Sequence, residues 1–467
     1  MGKKLYRNIV LGFALTILIG ALILMLPFSH KGHLSFLDAL FTSTSAVCVT
    51  GLIVKNTGKD FTIFGQIVLS ILMQIGGLGF MTFATLIFFT LGKKLSYTEK
   101  LILSSQFGIS SFKEILKFTL RVLKISFLIE FIGFIFLFFG FSKYFDFKHA
   151  LYYAYFHAIS AFNNAGFSLF PNSLIHFVDD TLINITICSL IVLGGLGFIV
   201  YDEILKYKRK LIRHFSLHTK LVLFITPLLI IIGAIIFFLL EKNGVLGTLT
   251  LKGKVLASLF QNITARTAGF NTVDFSKLKD ITLFFIIILM FIGGAPGSTA
   301  GGVKVTTIGV VTVTFWRVLR GHKDVQFWDR RLDSTTVFRV FFLITLALVI
   351  CIISIFLISE TQHVNVIYSA FEVVSAFATV GLSVGNGGDL SLSANFDTFG
   401  KLLIIFLMFI GRVGIMTFFY SRWRKGITLL TYLYGLSIGF SFLRFINALL
   451  KLTISKYKLI FKTYVFL

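Results

Sequence analysis

The chain has 467 residues, 56% hydrophobic and only 14% charged, with a mean hydropathy of +0.91. So many uninterrupted apolar runs exclude a soluble globular protein and predict a polytopic membrane protein in contact with lipid. The net charge of +24 would suit a nucleic-acid partner, but no soluble domain carries a basic patch, so the basic residues are expected at one membrane face.

Near the N-terminus, Lys3-Lys4-Leu5-Tyr6-Arg7 precedes an apolar run at 9–26. The run is longer than a signal-peptide core and lacks a small-x-small cleavage site, so it is expected to persist as the first span. Residues 36–47 are apolar but too short to cross, which predicts a half-helix entering the membrane. The tract Val49-Thr50-Gly51-Leu52 follows, and 61–91 crosses back.

This unit recurs three times. Span 119–139, short helix 150–162, tract Asn164-Ala165-Gly166-Phe167 and return 182–204 form the second copy. Segments 221–240 and 255–263, the tract Thr267-Ala268-Gly269-Phe270 and return 281–315 form the third. Segments 337–358 and 364–377, the tract Thr379-Val380-Gly381-Leu382 and return 399–420 form the fourth. The tract glycines lie roughly 100–115 residues apart, the spacing of a repeated membrane module and far above any solenoid period. The first two returns also share a phrase, I-G-G-L-G-F at 75–80 and L-G-G-L-G-F at 193–198.

The predicted fold is an all-α polytopic membrane protein, with four span–pore-helix–span modules around a pseudo-fourfold central pore. Module boundaries are expected at 1–118, 119–219, 220–336, where the second helix is broken, and 337–425. A tail at 426–467 has one apolar run, 427–442, and reads as an extra span, an interfacial helix or a loosely ordered end. Segments between modules are basic and those between a span and its short helix are not, which places the module ends and the N-terminus in the cytoplasm. All four tracts then enter from outside.

The chemistry follows from the backbone. Carbonyls that all face inward can replace the water shell of a bare cation, and they require φ > 0 at places where only glycine is cheap. The half-helices would aim their negative C-terminal ends at the same point. The filter candidates are therefore Val49, Thr50, Gly51, Asn164, Ala165, Gly166, Thr267, Ala268, Gly269, Thr379, Val380 and Gly381. Each tract is shorter than a T-V-G-Y-G filter, so fewer carbonyl rungs are expected.

The third return reads F-I-G-G-A-P-G-S-T-A-G-G-V-K-V-T-T at 291–307. Gly293, Gly294, Gly297, Gly301 and Gly302 with Pro296 cannot sustain a regular helix. The segment, which includes Ser298 and Thr299, is either a kink at a close helix contact or a mobile gate below the filter. Arg412, inside the fourth return, either faces the pore as an electrostatic barrier or snorkels to the cytoplasmic surface. Glu372 is expected to hold the filter, Glu130 to make a helix contact or serve an ion path, and Asn163 and Asn164 to brace the second tract. Arg266 would pin the third tract or lie at the surface, and Cys48 reads as a small packing residue. Cys48, Cys188 and Cys351 show neither C-x-x-C nor His-paired spacing, so no disulfide framework or zinc site is expected.

Six stretches together resemble the Trk/Ktr/HKT superfamily of cation transporters, and most closely its Ktr-type potassium-translocating subunit. They are T-S-T-S-A-V-C-V-T-G-L at 42–52, H-A-I-S-A-F-N-N-A-G-F at 157–167, R-T-A-G-F-N-T at 266–272, G-G-A-P-G-S-T-A-G-G-V-K at 293–304, V-S-A-F-A-T-V-G-L-S at 374–383 and G-R-V-G at 411–414. The resemblance implies potassium uptake across the plasma (inner) membrane, often stimulated by sodium, through a homodimer. It implies a cytoplasmic ring of nucleotide-binding regulatory subunits acting on the 293–302 segment, with no cofactor in this chain beyond the transported ion. It also implies preference for potassium, because sodium-preferring members tend to carry serine where Gly51 stands. The tail departs from the family pattern.

Two rivals are kept open. A secondary active transporter for another cation or small solute would need buried acidic coupling residues, for which Glu130 is the candidate. An intramembrane enzyme would need a catalytic dyad or metal cluster, and none is found; His157 stands alone.

Overall fold

The computed structural model describes residues 2–79, 112–322, 325–327 and 330–422. The tail at 426–467, most of the basic 93–124 segment and the end of the first return lie outside the described residues. The described chain is helical apart from a strand pair of two residues each, Gln326–Phe327 and Arg330–Arg331.

The first module contains α1 (Gly2–Leu24), α2 (Phe36–Val47) and α3 (Ile63–Leu78). The second contains α4 (Phe112–Phe141), α5 (Phe147–Phe162), α6 (Thr181–Gly195) and α7 (Phe198–Lys208). The third contains α8 (Leu217–Glu241), α9 (Leu251–Thr264), α10 (Asp280–Phe291) and α11 (Val305–Leu319). The fourth contains α12 (Ser334–Gln362), α13 (Val366–Phe377), α14 (Thr398–Val413) and α15 (Ile415–Arg422). Among the described residues, α1, α4, α8 and α12 are long and apolar enough to cross a membrane alone. The helices α4, α8 and α12 begin upstream of the sequence boundaries at 119, 220 and 337. Their first turns carry polar residues such as Lys113, Glu114 and Thr335 that end a hydropathy run without ending a helix.

Short helices form where a capping side chain meets an apolar run. Ser35, Asp146, Thr250 and Asn365 each accept a hydrogen bond from a first-turn N–H of α2, α5, α9 and α13. One fully buried phenylalanine anchors each: Phe41, Phe156, Phe260 and Phe371. Each lies ten residues before its tract glycine, or nine in the third module. Burying a ring of this kind contributes about 2–3 kcal/mol.

The expectation of one broken return is corrected: the second and fourth returns break as well, and the first return helix ends at Leu78, next to the last residue described there. Helix α3 ends before Gly79 (φ +85), α6 before Gly197 (φ +92), and α14 before Gly414 (φ +89). The second return, expected to be continuous over 182–204, is two helices bent by 88°. Hydropathy runs unbroken across these points, so it could not reveal a left-handed glycine. Three residues before each of these glycines a second glycine makes room for the pore helix of its own module. A Cβ on Gly76, Gly194 or Gly411 would collide with the carbonyl of Val47, Phe162 or Phe377, the last residues of α2, α5 and α13.

Polar ties join neighbouring modules. Lys401 Nζ meets Asp38 Oδ1 at 2.9 Å, Lys59 meets Asp389 at 2.7 Å, and Ile53 exchanges hydrogen bonds with Ser391 at 2.9 and 3.0 Å. These join the fourth module to the first. Tyr152 Oη donates to Gln66 Oε1 at 2.8 Å between the first and second. The N–H of Leu174 donates to the Asn271 carbonyl at 2.9 Å between the second and third.

Candidate ion pathway

The four tracts meet in a closed ring. A Cβ on Gly51 would lie 2.6 Å from the Ala165 carbonyl oxygen, one on Gly166 2.6 Å from that of Ala268, and one on Gly269 2.6 Å from that of Val380. A Cβ on Gly381 would collide with the Thr50 carbonyl oxygen, which returns the sequence to the first tract. Each glycine thus abuts the carbonyl before the next module's glycine.

All four tracts share one backbone alternation. The glycines have φ of +98, +71, +82 and +89, and the residues two earlier, Val49, Asn164, Thr267 and Thr379, have φ of +49, +56, +79 and +51. The residues between, Thr50, Ala165, Ala268 and Val380, stay on the negative side. The expectation that only glycine carries positive φ is therefore corrected. Left-handed geometry at a β-branched residue costs on the order of 1–3 kcal/mol, and such strain persists only where the surroundings fix it. Alternating sign keeps successive carbonyls turned to one side of the strand.

The fixing groups are hydroxyls near the ends of the short helices, which sequence reading missed. Ser45 Oγ accepts from the Gly51 N–H at 3.0 Å, and Ser375 Oγ from the Gly381 N–H at 3.1 Å. Ser160 instead donates to the Phe167 carbonyl at 2.8 Å, and Thr264 to the Phe270 carbonyl at 2.7 Å. The signal was present as a hydroxyl five or six residues before each tract glycine. The Thr50 and Thr379 hydroxyls are buried with no hydrogen-bond partner in the protein.

The 293–302 segment is packed directly under the ring. Thr299 and Ala300 are 0% and 2% exposed. Gly301 fits against Thr379 and the Ala378 carbonyl, where a Cβ could not stand. Thr299 Oγ1 donates to the Phe162 carbonyl at 3.3 Å, and the Ala295 and Thr299 N–H groups donate to the Gly195 and Gly194 carbonyls at 3.0 and 3.3 Å. Ser298 Oγ donates to the Ala295 carbonyl at 2.6 Å, and the Gly297 carbonyl accepts from Phe198 N–H at 2.8 Å. Lys304, given no role from sequence, donates to the carbonyls of Ala300 at 2.7 Å and Gly301 at 3.3 Å.

Arg412 is half-buried, and its guanidinium donates to the carbonyls of Thr299, Gly76 and Gly77. It neither snorkels nor stands free; it ties the segment to the first return helix. Glu372, fully buried, accepts from Ser383 Oγ at 2.7 Å and from the Ser393 N–H at 2.9 Å. It therefore holds the chain after the fourth tract and not the tract itself. Glu130 accepts from Gln74 Nε2 at 2.9 Å and Asn163 Nδ2 at 3.1 Å, joining α4, α3 and the end of α5 just before the second tract. The Asn164 side-chain amide lies 3.3 Å from Thr267 Oγ1, linking the second and third tracts, with its nitrogen turned to the carbonyls of Ala161 and Ile191. Arg266 is buried and donates to the Thr226 carbonyl on α8 at 3.3 Å, so it pins no tract carbonyl and is not at the surface. Cys48 is fully buried, and His157 sits among aromatic rings with Ser168 at 3.1 Å.

The chain is similar to known transport proteins in sequence and fold. A family model described as TrkH, cation transport protein, matches residues 7–425. The chain is 41% identical over 415 residues to Ktr system potassium uptake protein B of Bacillus subtilis, covering 88% of this chain and 92% of that one. It is 38% identical to potassium/sodium uptake protein NtpJ of Enterococcus hirae, over 88% and 91% of the two chains. Its fold matches the crystal structure of the potassium transporter TrkH from Vibrio parahaemolyticus with a TM-score of 0.72, at 20% identity, over 90% of this chain and 85% of that one. With the family model spanning all four modules, the chain belongs to the TrkH family of cation transport proteins.

Proposed function

We propose that this chain takes up potassium ions through a gated, channel-like pore whose filter is the ring of four tracts. The observation that carries the reading is the cyclic contact of Gly51, Gly166, Gly269 and Gly381 with the next tract's carbonyl. Backbone oxygens turned to one side, with the C-terminal ends of α2, α5, α9 and α13 behind them, suit a dehydrated monovalent cation. The unpartnered Thr50 and Thr379 hydroxyls add oxygen to that surface. Potassium is named for the Bacillus relative, and potassium with sodium for the Enterococcus one.

In this reading Gly293, Gly294, Pro296, Gly297, Ser298, Thr299, Gly301 and Gly302 form the gate and Arg412 is its latch. The pore works as a homodimer in the plasma membrane, with the N-terminus in the cytoplasm. A nucleotide-binding ring on the cytoplasmic side moves the gate, sodium acts as an activator, and the chain itself carries no catalytic group. Expression in cells deficient in potassium uptake should restore growth at low potassium, more strongly with the regulatory subunit. Gly51→Ser should admit sodium more readily, and deleting 295–300 should raise flux. Growth that never recovers in any of these strains would sink the reading.

One observation favours ion coupling as the second reading. Glu130 is a carboxylate at membrane depth, held by the neutral amides of Gln74 and Asn163. Rubidium flux into proteoliposomes that requires a proton or sodium gradient would select it over passive conduction.

A further inference from the structure

An apolar groove of about 340 Å³ runs between α6 and α9 at the seam of the second and third modules. Its outer walls, Ile185 and Leu259, are 54% and 36% exposed and face the lipid side. Val192 and Ile263 continue from it into a narrower cleft of about 10 Å³ that reaches Arg266 and Gly294. Arg266 is only 8% exposed, yet its Nε has no hydrogen-bond partner and one Nη reaches a single carbonyl at 3.3 Å. Among the described residues no carboxylate pairs with it. A buried guanidinium with an unmet donor, at the inner end of a lipid-facing apolar groove, lacks an anion.

We propose that the groove binds a free long-chain fatty acid, its chain between α6 and α9 and its carboxylate on Arg266. Charge selects the carboxylate, and the groove walls suit the alkyl chain. The narrow inner end admits a carboxylate oxygen and excludes a phosphoglyceride headgroup. The occupant would sit beside Gly294, next to the Ala295-to-Gly195 hydrogen bond that docks the 293–302 segment. Any effect on flux rests on the gating role proposed above; the binding itself does not.

The test uses the full-length protein in nanodiscs and a diazirine-bearing oleate analogue. Photolabelling should saturate and map to 184–193 and 256–263. Excess oleate should suppress it roughly tenfold more effectively than methyl oleate, the difference expected for one hydrogen-bonded charge. Leu259→Trp should abolish labelling, and Arg266→Gln should make acid and ester compete equally. Methyl oleate competing as well as oleate on the wild type overturns the proposal, as does labelling spread over α4 and α12. Labelling is read without transport, so its failure is distinct from failure of the transport reading.

Discussion

The outer and inner halves of this molecule follow opposite rules. Where the tracts meet, four segments of different sequence adopt one backbone, with φ signs repeated residue by residue. Below them, among the described residues, the second, third and fourth returns break beside glycine, and the third does so over the ten residues 293–302, most of them buried. A coordination ring needs every side alike because the ion touches all of them. An obstruction needs only one side, and the others need only make room. Gly76, Gly194 and Gly411 do so against their own pore helices, whereas Gly293 abuts the Gly301 carbonyl of its own segment.

Substitutions at glycines in the two halves give the sharpest contrast. Gly166→Ala places a methyl at φ +71 and 2.6 Å from the Ala268 carbonyl oxygen. Rubidium uptake should fall by at least about tenfold from backbone strain alone. Gly79→Ala is strained too, at φ +85 and ψ 135, but among the described residues nothing lies within 4 Å of the new methyl. It should lower thermal stability by about 1 kcal/mol and leave ion preference unchanged. Equal losses of selectivity at both would erase the distinction between the halves.

Arg412→Gln tests the inner half. It removes a donor from the carbonyls of Thr299, Gly76 and Gly77, of which Gly76 keeps the Gly79 N–H at 3.3 Å, at a cost of about 1–3 kcal/mol. The segment should undock more often, and rubidium leak from proteoliposomes holding this chain alone should rise several-fold. A leak no faster than wild type would mean that other contacts hold the segment.

The hydroxyls divide the outer half more finely. Ser45→Ala leaves the Gly51 N–H buried and unmet, a loss of about 1–3 kcal/mol, whereas Ser160→Ala removes a donor from the Phe167 carbonyl, about 0.5–1.5 kcal/mol. Potassium-over-sodium preference should suffer more in the first, as measured by competition flux.

The smallest effect lies outside the spans. Burial raises the Asp180 carboxyl, but Lys143, the Ile183 N–H and Tyr144 outweigh it and hold the group below its usual range. Its stabilisation is present above the ordinary carboxylate pKa and is lost as pH falls through the lowered one. Asp180→Asn should cost less than about 1 kcal/mol at neutral pH, and the difference in melting temperature should vanish in strong acid.

The fold and the four matching tracts were legible for one physical reason. A span, a half-length apolar run and a glycine are each forced by the bilayer or the backbone, so Phe36–Val47 and Gly51 announce themselves. The helix ends at Gly79, Gly197 and Gly414 were not legible, because bending a helix inside lipid changes no residue's polarity. Positive φ at Val49 and Thr379 ran against propensity, which disfavours β-branched residues there, and only tertiary contact overrides it. Arg412 was noticed but not its partners, since a guanidinium bound to backbone carbonyls leaves no matching residue type to search for. Lys304 was passed over for the same reason.

The ties among Asp38, Lys401, Ile53 and Ser391 join parts of the chain made far apart in time. A ribosome must extend past position 401 before the last seam can zip, because the fourth wall has nothing to lean on earlier. Until then the growing polypeptide contains three sides of a conduit and no enclosed passage. Interrupted synthesis therefore leaves three tracts with no fourth to complete their cycle of contacts.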